Sequence, residues 1–212
     1  MKKIFSIVAV AAVMLFAVKA NAQLRLNLGY GPQTYTTTYN NGGEDSFDMN
    51  GFLVGVSYNT NISGDLNVNI GVDIRYNTKK DANGAVVFGV PANAEVTKTQ
   101  MIVDVPILFN YGLKLNNDLK ISAFAGPTLS LAISGKTTSS AAVAGWGGAT
   151  EYDWYSDGDW KQFDLGLAFG LDLGFQKYHF FGGYNMGLMN LTEANNTTVK
   201  GNGWFVGFGY DL

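Results

Sequence analysis

Eight charged side chains fall where an extended chain would turn them to one side of its strands: Arg25, Asp73, Arg75, Asp104, Lys120, Asp164, Asp172 and Asp211. Glycine, serine and asparagine surround them. Along a water column they would form an ion-selective lining. In a narrow interior they must instead pair and hydrogen-bond, because a lone charge is costly away from water. Arg75 has two acids in reach, Asp73 on its own strand and Asp104 on the next. A second concentration of chemistry lies in 135–161. There Trp146, Tyr152, Trp154, Tyr155 and Trp160 accompany Glu151, Asp153, Asp157 and Asp159. The rings could stack on a sugar or a protein partner, and the acids could hold calcium through oxygen ligands. The alternative is a hydrated loop whose rings touch lipopolysaccharide or each other. The acid spacing does not fit an EF-hand loop. No phosphate loop, dinucleotide fingerprint or zinc pattern is present, so no cofactor is expected.

These side chains are positioned by strands. In 66–76, Leu66, Val68, Ile70, Val72, Ile74 and Tyr76 alternate with Asn67, Asn69, Gly71, Asp73 and Arg75. In 163–175, Phe163, Leu165, Leu167, Phe169, Leu171, Leu173 and Phe175 alternate with small or acidic residues. Period-two alternation marks two-faced strands. Eight are predicted, over 24–34, 50–62, 66–78, 99–113, 119–134, 162–175, 178–190 and 203–212. Ser63-Gly64-Asp65, Asn116-Asn117-Asp118 and Gln176-Lys177 make tight turns between them. Long connections occupy 35–49, 79–98, 135–161 and 191–202. Strict alternation of long and short connections is the order of an up-and-down meander with both termini at one end. Pro106 and Pro127 lie inside adjacent strands, where proline removes a ladder hydrogen bond, and predict a shared bulge.

Size decides which face points where. An eight-stranded barrel has an interior only just wide enough for side chains. Dozens of Leu, Phe, Tyr and Val side chains cannot fit there, so the bulky set faces out and the small, polar set faces in. One lysine or arginine at mid-membrane on the outer face would cost about 2–4 kcal/mol, and the apolar face carries none. Outward aromatics gather at the strand ends, as two membrane interfaces favour. Tyr58, Tyr111, Phe175, Tyr178 and Tyr210 fall toward the short turns, and Tyr30, Phe52, Tyr76, Phe163 and Trp204 toward the long connections.

The N-terminus carries an address. Lys2 and Lys3, the apolar run Ile4 to Val18 and the small-x-small site Ala20-Asn21-Ala22 form a secretory signal peptide over 1–22, leaving 23–212 as one barrel domain. Removing it takes away Lys2, Lys3 and Lys19 and no acid, so the net charge goes from −3 to −6. An acidic exported chain is not a nucleic-acid binder. With no cysteine among 212 residues, neither disulfides nor thiolate metal sites are available.

The chain resembles the eight-stranded outer-membrane β-barrel domain family, described as porin-like and close in architecture to the OmpX and OmpA barrels. The resemblance rests on Val103-Asp104-Val105-Pro106-Ile107-Leu108, Ala123-Phe124-Ala125-Gly126-Pro127-Thr128-Leu129, Phe163-Asp164-Leu165-Gly166 and Tyr184-Asn185-Met186-Gly187-Leu188-Met189-Asn190. It implies an all-β fold, an eight-stranded antiparallel up-and-down transmembrane β-barrel in the outer membrane of a Gram-negative cell. Gly207, Tyr210 and Leu212 resemble the family's C-terminal assembly signal for the outer-membrane insertion machinery. Leu212 stands where a terminal aromatic is usual, and Phe205 where a polar residue is expected. Expected partners are outer-membrane lipid and lipopolysaccharide, the barrel being a monomer. A lipid A deacylase of this architecture would need a Ser-His pair at the outer rim, whereas His179 lies at the short-turn end, and no N-terminal amphipathic helix resembles the palmitoyl transferase type. Three readings stay open: a non-enzymatic surface or envelope protein, a small porin, and a soluble barrel with lipid inside.

Overall fold

The computed structural model describes residues 23–87, 90–143 and 146–212, and among these the side chains of all but 83–93 and 141–146. The expected signal segment lies outside the described residues. Ten strands follow in order: β1 (Gln23–Tyr30), β2 (Gln33–Tyr39), β3 (Glu44–Ser63), β4 (Leu66–Val87), β5 (Val90–Lys114), β6 (Leu119–Val143), β7 (Trp146–Asp153), β8 (Phe163–Phe175), β9 (Tyr178–Gly187) and β10 (Thr197–Asp211). They make eight positions in a closed antiparallel ring. β1 and β2 share one position, broken at Gly31-Pro32, and β7 and β8 share another, both beside β6. The ring closes where β10 pairs with β1 at Arg25↔Asp211 and with β2 at Asn202↔Thr34. At the break, Gly31 donates its N–H to Gly51 O at 2.9 Å. A side chain on Gly51 would strike the Gly31 carbonyl, so this approach requires glycine.

The outer wall is apolar. Leu28, Phe52, Phe109, Leu171 and Phe180 are each more than half exposed, while Asn27, Ser57, Asn67, Ser122 and Asn185 are buried inside. That arrangement removes the reading with lipid inside a soluble barrel. Girdle contacts are present at both ends: Tyr30 meets Phe52 and Trp204 at 5.6 and 5.7 Å, and Tyr178 meets Tyr210 at 5.4 Å.

Two expectations are corrected. The segments 79–98 and 135–161 are mostly strand. From Asp73↔Asp104 onward β4 and β5 pair without interruption up to Val87↔Val90, and β6 pairs with β7 up to Val143↔Trp146. At about 3.3 Å per residue the 25 residues of β5 span about 80 Å, whereas a bilayer crossing takes about 9–11 residues. The excess stands beyond the membrane as a four-stranded wall. The prolines form no bulge either. Pairing resumes in the same register on both sides of Pro106 and Pro127, and the β5–β6 register shifts at Met101/Ile102 instead. Each proline omits a donor, and the neighbouring pairs hold the ladder in step.

Candidate functional site

The interior is filled in three layers. The lowest, near the short turns, joins β1, β8, β9 and β10. Arg25 Nε donates to Asp211 Oδ1 at 2.8 Å and Nη1 to Asp172 Oδ2 at 3.0 Å. The His179 ring lies between the same two acids, 2.8 Å from Asp172 Oδ1 and 3.0 Å from Asp211 Oδ2. All four residues are buried. Gly174 leaves room for the imidazole. Sequence reasoning placed His179 inward at this end but left it out of the charged set, although its position opposite Gly209 in the β9–β10 register puts it beside Arg25 and Asp211.

The middle layer is built on Arg75. Its Nη2 meets Asp104 Oδ2 at 2.7 Å, and its Nη1 donates to Gln33 Oε1 at 2.7 Å. Ser130 donates its hydroxyl to Asp104 Oδ1. Asp73 faces Asp104 across the β4–β5 ladder. Of the two partners open to Arg75, the ion pair goes to Asp104. Beside it the lumen is aromatic: Phe205 meets Phe124 at 6.2 Å and Phe181 at 6.3 Å. Phe205 therefore faces inward where a polar residue was expected, and takes the space that glycines vacate. A cavity of about 100 Å³ remains here, bordered by Asp73, Asp104, Phe124 and Phe205. Among the described residues Asp73, Lys120 and Asp164 form no ion pair. Asp164 accepts the Met189 N–H at 3.2 Å, and Lys120 borders a larger cavity, about 520 Å³, at the short-turn mouth.

The top layer is a lid. Tyr35 donates its hydroxyl to Gln100 Oε1, which also accepts from Asn77 Nδ2 at 3.1 Å, and Gln100 Nε2 donates to the Tyr155 hydroxyl oxygen at 2.9 Å. Above it Tyr35, Met49, Trp154, Leu191 and Val199 form a buried cluster against which Phe47, Tyr155 and Trp160 pack. Trp154 and Trp160 lie 5.1 Å apart, and Trp154 Nε1 donates to Thr137 Oγ1 at 2.8 Å. Lys98 Nζ sits 3.9 Å from the Phe47 ring centre, and burial lowers its pKa. Burial also pushes the Tyr155 hydroxyl up to about 12.

This corrects the binding-loop expectation. Trp154 is only 4% exposed, and Tyr155 and Trp160 turn inward with it, because an extended strand pair carries 154–162 back across the mouth. Tyr152 stays exposed at 46%, and the Trp146 side chain lies outside the described residues. The acids organise the turn. Asp153 accepts the Tyr155 and Ser156 N–H groups, and that backbone bonding holds it below the usual carboxylate range. Asp157 accepts the Asp153 N–H. Among the described residues no cluster of His, Asp or Glu is arranged to hold a metal. Gln33, Asn77 and Gln100 were missed. Strand parity was the available signal, since each sits on the same face as the inward charges.

The family profile described as "Outer membrane protein beta-barrel domain" matches residues 13–193. The chain belongs to this family. A member with such a wall resides in the outer membrane. Solved structures resemble it at low identity. Ail of Yersinia pestis, crystallised with the heparin analogue sucrose octasulfate, is 14% identical with a TM-score of 0.44, over 90% of this chain and 99% of that one. Neisserial surface protein A is 13% identical with a TM-score of 0.40, over 88% and 97%. The outer membrane protease OmpT of Escherichia coli is 8% identical with a TM-score of 0.33, over 92% and 99%. No curated protein sequence matches the chain.

Proposed function

We propose that this outer-membrane barrel is a non-enzymatic, plugged monomer that displays its extended hairpins outside the cell for surface interaction or envelope integrity. It is exported by a cleaved signal peptide over 1–22 and inserted by the outer-membrane machinery through β10. The observation that supports this most is the three-layer filling of the lumen. Paired charges at two levels and an aromatic lid leave the strands above the membrane as the largest accessible feature. The short turns then face the periplasm and the wall of β4 to β7 faces the exterior. The lid takes up the conspicuous loop aromatics, so the wall and Tyr152 are what a partner would meet.

The absence of cysteine makes a direct test simple. On intact cells, a membrane-impermeant maleimide should label Glu151→Cys and spare Asn117→Cys. Labelling of Asn117→Cys alone would reverse the orientation. A deletion strain separates the two roles. If the full chain restores partner binding or detergent resistance and a hairpin-trimmed chain does not, the hairpins carry the function. Equal rescue by both assigns it to the barrel.

A second reading, a small pore, is favoured by one feature. The two cavities adjoin and share Arg25, Asn69, Asn110 and Asp172 as lining. Conduction would require the lower ion cluster and the lid to part together.

A further inference from the structure

The cavity at the short-turn mouth is not used by the plug. It measures about 520 Å³, within the range of about 300–1,000 Å³ typical of small-molecule sites. Its floor is the Arg25 cluster, whose charges are already satisfied by one another. Its wall has a different chemistry. Asn69 and Asn110 each commit one amide N–H, to Ser57 Oγ and the Leu108 carbonyl, and keep a second N–H and the amide oxygen. The Asn116 oxygen accepts the Asp118 and Leu119 N–H groups and leaves its amide nitrogen to donate.

Two lysines stand on the same wall. Lys114 and Lys120 are direct partners across the β5–β6 ladder, and both occupy inward positions. Like charges placed opposite each other on one sheet face are destabilising. Among the described residues neither is in an ion pair. Gly112 keeps the space that the Lys120 chain crosses, since a side chain there would strike Lys120 Cε. Among the residues lining the cavity, the one acid outside the floor cluster, Asp118, accepts from Gln176 Nε2 at 3.4 Å. Outside the floor cluster, the residues lining this cavity thus carry two cations against one acid, on a chain of net charge −3.

We propose that this mouth is a binding site for an acidic sugar, with Lys114 and Lys120 on its carboxylate and the asparagines on its hydroxyl and amide groups. The lysines then lose their mutual repulsion to a shared anion. These amides suit a polyol because Asn69 and Asn110 can both donate to and accept from a hydroxyl, and Asn116 can donate to one. The orientation proposed above decides only that the ligand comes from the periplasm.

The barrel in lipid nanodiscs exposes both mouths, so the test does not depend on orientation. N-acetylmuramic acid, N-acetylglucosamine and acetate would be titrated by calorimetry and by shifts in the asparagine side-chain NMR signals. The acidic sugar should bind about tenfold more tightly than either half-ligand. Lys120→Gln and Lys114→Gln should each weaken it several-fold, and Asn110→Ala should weaken the sugar while leaving acetate unchanged. Lys136→Gln, at the opposite end, should change nothing. A heat-modifiability gel shows that each variant is folded, and the wild-type titrations stand even if one variant fails. No binding, equal binding of acetate and the sugar acid (an adventitious ion only), or binding insensitive to both lysines would overturn the proposal.

Discussion

Arg75 and Asp104 meet at 2.7 Å with side chains only 12% and 2% exposed, and Asp73 lies across the ladder from Asp104. An arginine removed from such a place leaves a buried carboxylate without its counter-charge. Arg75→Ala should lower stability by about 3–5 kcal/mol, read as a lower midpoint temperature on unboiled gels. An unchanged midpoint would mean that the acids are held by other groups. Tyr155 gives a pH signature. Its hydroxyl is raised from 10.0 to about 12 by burial. A group raised in this way adds stability that is complete below its unfolded value and is lost as pH rises through the folded one. The lid should therefore weaken between about pH 10 and 12. Tyr155→Phe should lower stability at neutral pH by about 0.5–1.5 kcal/mol through the lost acceptor for Gln100, and should flatten that alkaline decline. An identical decline in both proteins would place the titration elsewhere.

The membrane-crossing part of each strand was legible in the sequence because lipid on one side and a tight lumen on the other impose strict alternation. The strand continuations were not. Above the bilayer neither face meets lipid, so Thr97, Thr99 and Thr138 sit on paired strands whose outer face has no apolar partner. The signal that marks a strand ends where the membrane ends, while the hydrogen-bonded ladder continues. The same limit hid the lid. Aromatics in 135–161 read as an exposed loop until the β6–β7 pairing showed that 154–162 crosses the mouth. Two predictions belong here. Replacing Asp81–Val96 by a two-residue Asn-Gly turn joins Lys80 to Thr97, which are already partners, and should leave a heat-modifiable barrel. Failure to fold would make the wall part of the barrel's own stability. Trp154→Ala should cost about 3–5 kcal/mol by emptying the lid cluster. A loss below about 1 kcal/mol would show that the lid does not hold the outer mouth together.

The whole molecule is an apolar cylinder around a stack of polar groups that pair with one another in layers, with Asp73 Oδ1, Asn77 Oδ1 and Asn185 Oδ1 buried between them without a hydrogen-bond partner among the described residues, and with no disulfide to close it. Ring closure through β10 leaves the spanning region without an open edge, and lipid supplies the outer solvent. The inward set foreseen from the sequence divides on this scale. Arg25, Asp172 and Asp211 join one layer and Arg75 with Asp104 another, while Lys120 stands at the short-turn mouth. The two acids open to Arg75 could be read along the chain, but the partners of Arg25 could not, because they depend on how eight strands are staggered around the ring. The central claim is that this stack plugs the barrel. Its most direct test is single-channel conductance in a planar bilayer, on protein shown to be folded by its gel shift. A folded, silent barrel is the predicted result. Stable, discrete current steps would contradict it and make Arg75, Asp104 and Lys120 the lining of a pore.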